Sequence, residues 1–172
     1  MIFTTKPNYI SFIYFNLIYK IIINFLEYKK NDVVLDFGCG IGLLKKKIKK
    51  KYPEANIINY DKVKSLSEVS DWKNINFNKI IFCQVLMYIS KEDIENIFYI
   101  LKKKKIDKII ICFSKQSFLN RLFAKILGHK NAHDDTVLIP EHEEKLIYQN
   151  FKILKKINFF NLFKIYSLLN KS

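Results

Sequence analysis

The 172-residue sequence has only four glycines, one arginine and no long, uninterrupted apolar run. Its three cysteines, Cys39, Cys83 and Cys112, lie far apart and form no C-x-x-C pair. An odd number of widely spaced cysteines argues against a disulfide framework and against a zinc site, and it fits a reducing compartment. We therefore expect a cytoplasmic protein without a bound metal.

Acidic residues are also few, since 16 Asp and Glu stand against 30 Lys and Arg, which gives a formal net charge of +14. Specific recognition of nucleic acid favours the forked guanidinium of arginine, and Arg121 is the only arginine present. Nucleic acid is therefore not expected as a partner. The lysines would still attract an anionic membrane surface, so peripheral contact with a membrane stays open.

The segment from Tyr9 to Leu26 is apolar and aromatic, but Asn16, Lys20 and Asn24 interrupt it. It therefore lacks the roughly 20 apolar residues that span a bilayer. No small-residue cleavage site follows it, which argues against a signal peptide. Two interpretations remain: a helix packed on the domain, or a helix on a membrane surface with Lys20, Lys29 and Lys30 at headgroup level.

Short buried runs alternate with amphipathic segments along the chain, which predicts a parallel sheet with helices on both faces. We expect one domain over residues 1–172, with a helical cap at 1–30 and a core at 31–172. Strands are predicted at 32–37, 56–61, 79–84 and 106–113, followed by an antiparallel pair at 152–158 and 163–169. Helices are predicted at 8–29, 42–52, 91–104, 115–127 and 141–150.

Three of the four glycines, Gly38, Gly40 and Gly42, lie together after the first predicted strand. Glycine costs backbone entropy, so such a cluster indicates a tight turn where a ligand approaches the main chain. A dinucleotide fingerprint would need glycine or alanine where Leu43 stands, and the Gly-Lys-Ser/Thr of a phosphate loop is absent.

The run Asp36-Phe37-Gly38-Cys39-Gly40-Ile41-Gly42 resembles motif I, D-x-G-x-G-x-G, of class I S-adenosylmethionine-dependent methyltransferases. The resemblance implies a three-layer Rossmann-like α/β fold with an antiparallel C-terminal hairpin, and S-adenosylmethionine as cofactor. It places Asp61 where the family has its ribose-binding acid, and a carboxylate there can accept both ribose hydroxyls. Asp36, the three glycines, Cys39, Lys62 and Gln84 complete the predicted cofactor contacts around this turn.

The chain departs from the family pattern in two places. Asn78 replaces the usual acid before the next predicted strand, and only 16 residues separate Asp61 from Asn78. The family's third strand, or the helix before it, must therefore be shortened or lost. We expect Asp71 and Trp72 to close the adenine pocket in its place, although Trp72 can equally be a core residue.

The methyl acceptor is predicted to be a small molecule or a lipid-linked compound. Tyr88 and Gln84 are candidate acceptor contacts, and His133, oriented by Asp134 or Asp135, is the candidate general base. The apolar side of the predicted helix 115–127 could cover the acceptor or contact a membrane. Two alternatives remain: an RNA or protein methyltransferase, and a methyltransferase fold that binds a membrane or a partner without catalysis. The sequence contains no indication of the oligomeric state.

Overall fold

The structure of the protein, a computed structural model, describes residues 9–114, 140–160 and 162–171. It contains four helices: α1 (Tyr9–Leu26), α2 (Leu43–Lys51), α3 (Lys91–Lys103) and α4 (Pro140–Asn150). Its six strands are β1 (Val33–Phe37), β2 (Asn56–Tyr60), β3 (Lys79–Cys83), β4 (Lys108–Ser114), β5 (Phe151–Phe159) and β6 (Phe163–Asn170). The predicted helix 115–127 lies outside the described residues.

The six strands form one sheet in the order β2-β1-β3-β4-β6-β5. The first four strands in this order are parallel, β6 is antiparallel to β4, and β5 is antiparallel to β6. The predicted α/β fold with an antiparallel C-terminal hairpin is therefore confirmed. Because the order of the strands reverses at β1, with β2 on one side and β3 on the other, ligands are expected beyond the carboxyl ends of these strands.

Two hydrophobic cores cover the two faces of the sheet. Alternate residues of β1 separate them: Val34 packs with α1 and α2, and Leu35 packs with α3 and α4. The strands are apolar on both faces because helices bury both, and every residue of β4 is buried. The predicted start of a helix at residue 91 is also confirmed, and the hydroxyl of Ser90 caps this helix by accepting a hydrogen bond from the Asp93 backbone amide at 3.1 Å.

Helix α1 packs on the sheet from Tyr14 to Leu26. Ile18, Ile22 and Leu26 are fully buried one turn apart. At the end of the helix the buried Lys79 ammonium donates to the carbonyl oxygens of Leu26 and Glu27, both at 2.9 Å. This satisfies two carbonyl groups that the helix end leaves without partners. Among the two interpretations of this segment, the packing supports a helix that covers the domain.

The connection from β2 to β3 contains no strand, and every residue in it is described. It holds two short 3₁₀ turns, Lys64–Leu66 and Trp72–Asn74. The expected loss of the family's third strand is therefore confirmed, and β2 is the edge of the sheet. None of the described helices, α1 included, has the length and apolar character needed to cross a bilayer.

Candidate active site

The glycine loop, residues 38–42, leaves the carboxyl end of β1 and turns into α2. Gly38, Gly40 and Gly42 have φ angles of 72°, 52° and 73°, which L-residues with side chains rarely adopt. A Cβ on Gly38 would lie 2.2 Å from Val85 Cγ2, and one on Gly42 would lie 2.8 Å from Asn59 Nδ2. A Cβ on Gly40 would meet nothing within 4 Å, so the main chain at Gly40 faces open space.

Asp61, directly after β2, holds this loop. One of its carboxylate oxygens accepts from the Gly40 amide and the other from the Val63 amide, each at 2.9 Å. The loop is also fixed to β2 itself, because the amides of Gly38 and Cys39 donate to the Tyr60 carbonyl at 2.7 and 3.1 Å. The structure therefore brings Asp61 and the glycine loop together at one corner of the sheet.

Asp36, the last but one residue of β1, is buried beneath the loop, with 1% of its surface exposed. Burial, and then the nearby Asp61 carboxylate, raise the pKa of Asp36 to about 7. One of its carboxylate oxygens finds no hydrogen-bond partner among the described residues. Asn59, which is aligned with Asp36 on the neighbouring strand β2, also has a side-chain oxygen without such a partner. Buried polar atoms of this kind are rare and often mark functional sites.

The other predicted cofactor contacts occupy different surroundings. The Cys39 thiol lies in the loop, where burial and the Asp36 and Asp61 carboxylates raise its pKa to about 12, so it stays a neutral thiol. Lys62 follows Asp61 and is exposed. Trp72 is buried in the core, with its ring 5.4 Å from that of Phe37, which favours its interpretation as a core residue. Asp71 caps its own 3₁₀ turn by accepting from the Lys73 amide at 3.0 Å.

Gln84 directly follows β3 and has a positive φ of 56°, which is uncommon for a residue other than glycine. Its side-chain amide donates to the Tyr14 hydroxyl at 3.0 Å, and this hydroxyl lies 3.0 Å from the Ser114 hydroxyl at the end of β4. Burial raises the pKa of Tyr14 well above its ordinary value, so the phenol stays neutral. The three side chains form a polar group at the carboxyl ends of β3 and β4.

Tyr14 is the residue that sequence reasoning missed. It lies one helical turn before Ile18 and two before Ile22, on the buried stripe of α1. A hydroxyl at the start of this stripe was the signal that could have identified it. Tyr88 follows β3 and is 41% exposed. The candidate base His133 and its orienting partner Asp134 lie outside the described residues.

A parallel sheet with a glycine turn after its first strand and an acid after its second defines this chain as a class I methyltransferase domain with a Rossmann-like fold. The methyltransferase small domain family matches residues 1–111, almost two thirds of the chain. The chain belongs to this family, whose members use S-adenosylmethionine as the methyl donor.

Solved structures with the same fold include two that were crystallised with this donor. Magnesium protoporphyrin IX methyltransferase from Synechocystis PCC 6803, with bound SAM, is 14% identical with a TM-score of 0.61, over 97% of this chain and 86% of that one. Human N-acetylserotonin methyltransferase, in complex with SAM, is 12% identical with a TM-score of 0.66, over 92% of this chain and 53% of that one.

A curated relative, an uncharacterised protein from Methanocaldococcus jannaschii, is 28% identical over 167 residues. The match covers 92% of this chain and 39% of that protein. The chain thus spans about two fifths of the length of this relative.

Proposed function

We propose that the chain transfers a methyl group from S-adenosylmethionine to a small-molecule or lipid-linked acceptor. The observation that carries the proposal is the contact between Asp61 and the glycine loop. A carboxylate and a stretch of open main chain meet at the carboxyl ends of β1 and β2, where α/β sheets of this kind bind nucleotides.

The residues present fit the donor. Gly40 offers main chain that a ligand can approach without meeting a side chain. Each oxygen of the Asp61 carboxylate accepts one backbone hydrogen bond and keeps a further lone pair, so it can also accept a ribose hydroxyl. We assign the ribose to Asp61 and the cationic methionine part to the glycine loop, with Asp36 near its positive charge. Bound there, S-adenosylmethionine would supply an electrophilic methyl group on a sulfonium that becomes neutral on transfer.

The cluster of polar side chains formed by Gln84, Tyr14 and Ser114 is the proposed acceptor side of the site. The Gln84 side-chain amide donates to the Tyr14 hydroxyl, which Ser114 contacts in turn, so Gln84 is a preorganised polar contact beside the loop. Tyr88 lies on the next turn of chain and offers a second hydroxyl. If the acceptor must lose a proton, His133 with Asp134 is the proposed base, because the pKa of histidine lies close to neutral pH.

Asn78, which stands where the family usually has an acid, does not weaken the proposal. The Asn78 amide donates to Asp32 at 2.9 Å and to Asp107 at 2.8 Å, and its oxygen accepts from the Val33 amide at 2.9 Å. These bonds join the amino ends of β1, β3 and β4, at the opposite edge of the sheet from the glycine loop. Asparagine at this position therefore serves the fold and leaves the site unchanged.

Calorimetric titration of the full chain with S-adenosylmethionine, with ATP as the control nucleotide, tests the proposal. We expect the methyl donor to bind and ATP not to compete. Asp61→Ala should weaken the binding by about 2 kcal/mol, which is about thirtyfold, because charge-assisted hydrogen bonds are lost. Glu95→Ala, which removes an exposed carboxylate on α3, should leave the affinity unchanged. Absence of binding at millimolar donor would overturn the proposal in favour of a fold without catalysis.

A further inference from the structure

Exposed apolar side chains gather at the edge of the molecule that carries the candidate site. Ten large apolar side chains in the described residues are exposed. Seven of them lie at the end of the sheet where strands β1 to β4 finish, which we call the carboxyl edge. We call six of these the apolar rim: Phe12, Ile13, Ile41, Leu43, Val63 and Phe160. The seventh, Tyr88, lies among them. Clustered exposure of this kind differs from the scattered apolar residues of an ordinary surface and marks an interaction site.

Three members of the apolar rim belong to the loops that build the site. Ile41, 52% exposed, is part of the glycine loop, and Leu43 opens the helix that follows it. Val63 follows Asp61 by two residues, and its amide donates to the Asp61 carboxylate. The mouth of the candidate site is therefore bordered by apolar side chains.

The other members reach the same edge from different elements. Phe160, 76% exposed, lies in the turn between β5 and β6. Phe163, just after this turn, is aligned with Ser114 at the carboxyl end of β4. Phe12 and Ile13, both 52% exposed, precede Tyr14, whose hydroxyl contacts Ser114. Four separate segments of the chain thus present apolar side chains on one side of the molecule.

Lysines flank the apolar rim. The Lys47 ammonium lies 5.5 Å from the centre of the Phe12 ring. On the other side of the glycine loop, Lys62 and Lys64 are exposed after β2.

Three acidic side chains beside the glycine loop are already engaged within the protein. Asp61 accepts two backbone hydrogen bonds, and Glu68 forms an ion pair with Lys45 at 2.5 Å. Asp71 accepts from the side-chain amide of Asn74 at 3.1 Å and from the backbone amide of Lys73 in its own turn. Around the glycine loop, the described surface at the carboxyl edge is therefore apolar in its middle and cationic at its margins, whereas Glu92 and Glu141 are exposed at the starts of α3 and α4.

We propose that this edge docks on an anionic membrane surface. The apolar rim enters the boundary between headgroups and acyl chains, and Lys47, Lys62 and Lys64 meet lipid phosphates. Such surfaces combine burial of apolar area with attraction to anionic lipid. The mouth of the candidate site then opens onto the lipid, so the inference deepens the proposed function, on which it rests: the acceptor is an amphiphile that stays in the membrane.

Flotation of the full chain with vesicles tests the docking. Vesicles of phosphatidylcholine alone are compared with vesicles containing about one third phosphatidylglycerol, each at about 0.1 M and about 1 M NaCl. We expect binding to the anionic vesicles that weakens in high salt without disappearing, because the apolar contribution is not screened. The double variant Phe12→Ser and Phe160→Ser should partition into anionic vesicles at least about tenfold less.

The matched control replaces exposed apolar residues that lie away from the rim. Tyr99 and Leu154 are 57% and 44% exposed, so the double variant Tyr99→Ser and Leu154→Ser removes similar exposed area. It should keep vesicle binding within about twofold of the wild type. Both double variants should keep the wild-type affinity for S-adenosylmethionine in calorimetry.

Three results would overturn the docking: no flotation of the wild type in low salt, complete loss of binding in high salt, or equal effects of the rim and control variants. The last would point to a general attraction of a cationic protein to anionic lipid. If the chain binds S-adenosylmethionine and does not float, the docking fails and the proposed function stands. If it floats and does not bind the donor, the proposed function fails.

Discussion

At the residue scale, the two carboxylates of the candidate site have opposite surroundings. Asp61 has a backbone hydrogen bond on each oxygen, whereas Asp36 is buried and one of its oxygens has no hydrogen-bond partner among the described residues. A buried carboxyl without full pairing resists ionisation, which is why the pKa of Asp36 rises to about 7. A nearby ligand cation would reverse this effect, so we expect Asp36 to be neutral in the free protein below pH 7 and ionised beside a cationic ligand.

Asp36→Asn tests this interpretation through the pH dependence of stability. A carboxyl whose pKa is raised by folding contributes most to the free energy of unfolding below its ordinary pKa of 3.8. This contribution is lost as the pH rises towards 7. Asparagine does not ionise and loses no such contribution. The difference in Tm, variant minus wild type, should therefore increase by about 5 °C from pH 5 to pH 8. Thermal unfolding followed by circular dichroism at the two pH values measures the difference.

Asp32→Asn is the control for this experiment, because its carboxylate is paired. Burial by itself raises the pKa of Asp32, but hydrogen bonds from Lys79, Asn78 and the Lys29 backbone outweigh it and lower the pKa. Its replacement should therefore lower the Tm at pH 8. A constant difference between Asp36→Asn and the wild type across the pH range would mean that Asp36 ionises normally.

Among the structural elements, the glycine loop contains two glycines at which a side chain should have different effects. At Gly38 it should mainly reduce stability, and at Gly40 it should mainly reduce donor affinity. Gly38→Ala would force a methyl group against Val85 in addition to the cost of a positive φ, and we expect a loss of about 3 kcal/mol in unfolding free energy. Gly40→Ala carries only the conformational cost, about 1 kcal/mol, because its methyl group would meet open space. That methyl group would stand where the donor approaches, so affinity for S-adenosylmethionine should fall at least about tenfold.

Urea unfolding and calorimetric titration of the two variants separate these effects, and each variant serves as the control for the other. Equal loss of stability in both would show that Val85 yields to a side chain at position 38. Wild-type donor affinity in Gly40→Ala would remove the open face of Gly40 from the site.

Elements with strong local patterns were predictable from the sequence. Strands β1 to β4 appear as short apolar runs, and each begins and ends within about two residues of its prediction. Contacts between distant elements were not predictable. The Gln84–Tyr14 hydrogen bond joins residues 70 positions apart, and it depends on the direction in which α1 crosses the sheet. The same holds for Asn78, whose replacement of an acid is explained only by its position between Asp32 and Asp107.

At the scale of the whole molecule, the excess of lysine has two different uses. Lys79, Lys108 and Lys164 are almost completely buried, and each pairs with a carboxylate: Asp32, Glu27 and Glu144 respectively. A buried ammonium is tolerated only when it is paired and hydrogen-bonded, so these lysines belong to the fold. The exposed lysines remain to set the long-range field of the protein, which favours anionic surfaces.

Two glutamates attach the C-terminal hairpin to the rest of the molecule. Glu27, just after α1, binds Lys108 of β4 at 2.5 Å and also Lys155 of β5. Glu144 of α4 accepts from Lys164 and Tyr166 of β6 and from Lys156 of β5, the last at 3.2 Å. Hydrogen bonds from Lys108 and Lys155 lower the pKa of Glu27 to about 2. Burial alone would raise the pKa of Glu144, but its three hydrogen bonds outweigh this and lower it to about 2.

Glu144→Gln should therefore destabilise the protein in a pH-dependent way. A carboxylate whose pKa is lowered by folding contributes fully above its ordinary pKa of 4.5, and the contribution is lost as the pH falls towards 2. At pH 7 the variant leaves the buried Lys164 without its counter-charge, and we expect a loss of about 1–3 kcal/mol, or about 2–4 °C in Tm per kcal/mol. At pH 2.5 the difference in Tm between the two proteins should shrink to a small part of the difference at pH 7. Glu95→Gln, which changes an exposed pair with Lys91, should leave the Tm unchanged at both pH values. An equal loss for Glu144→Gln at pH 7 and pH 2.5 would show that Glu144 acts through packing, and that charge pairing does not attach the hairpin.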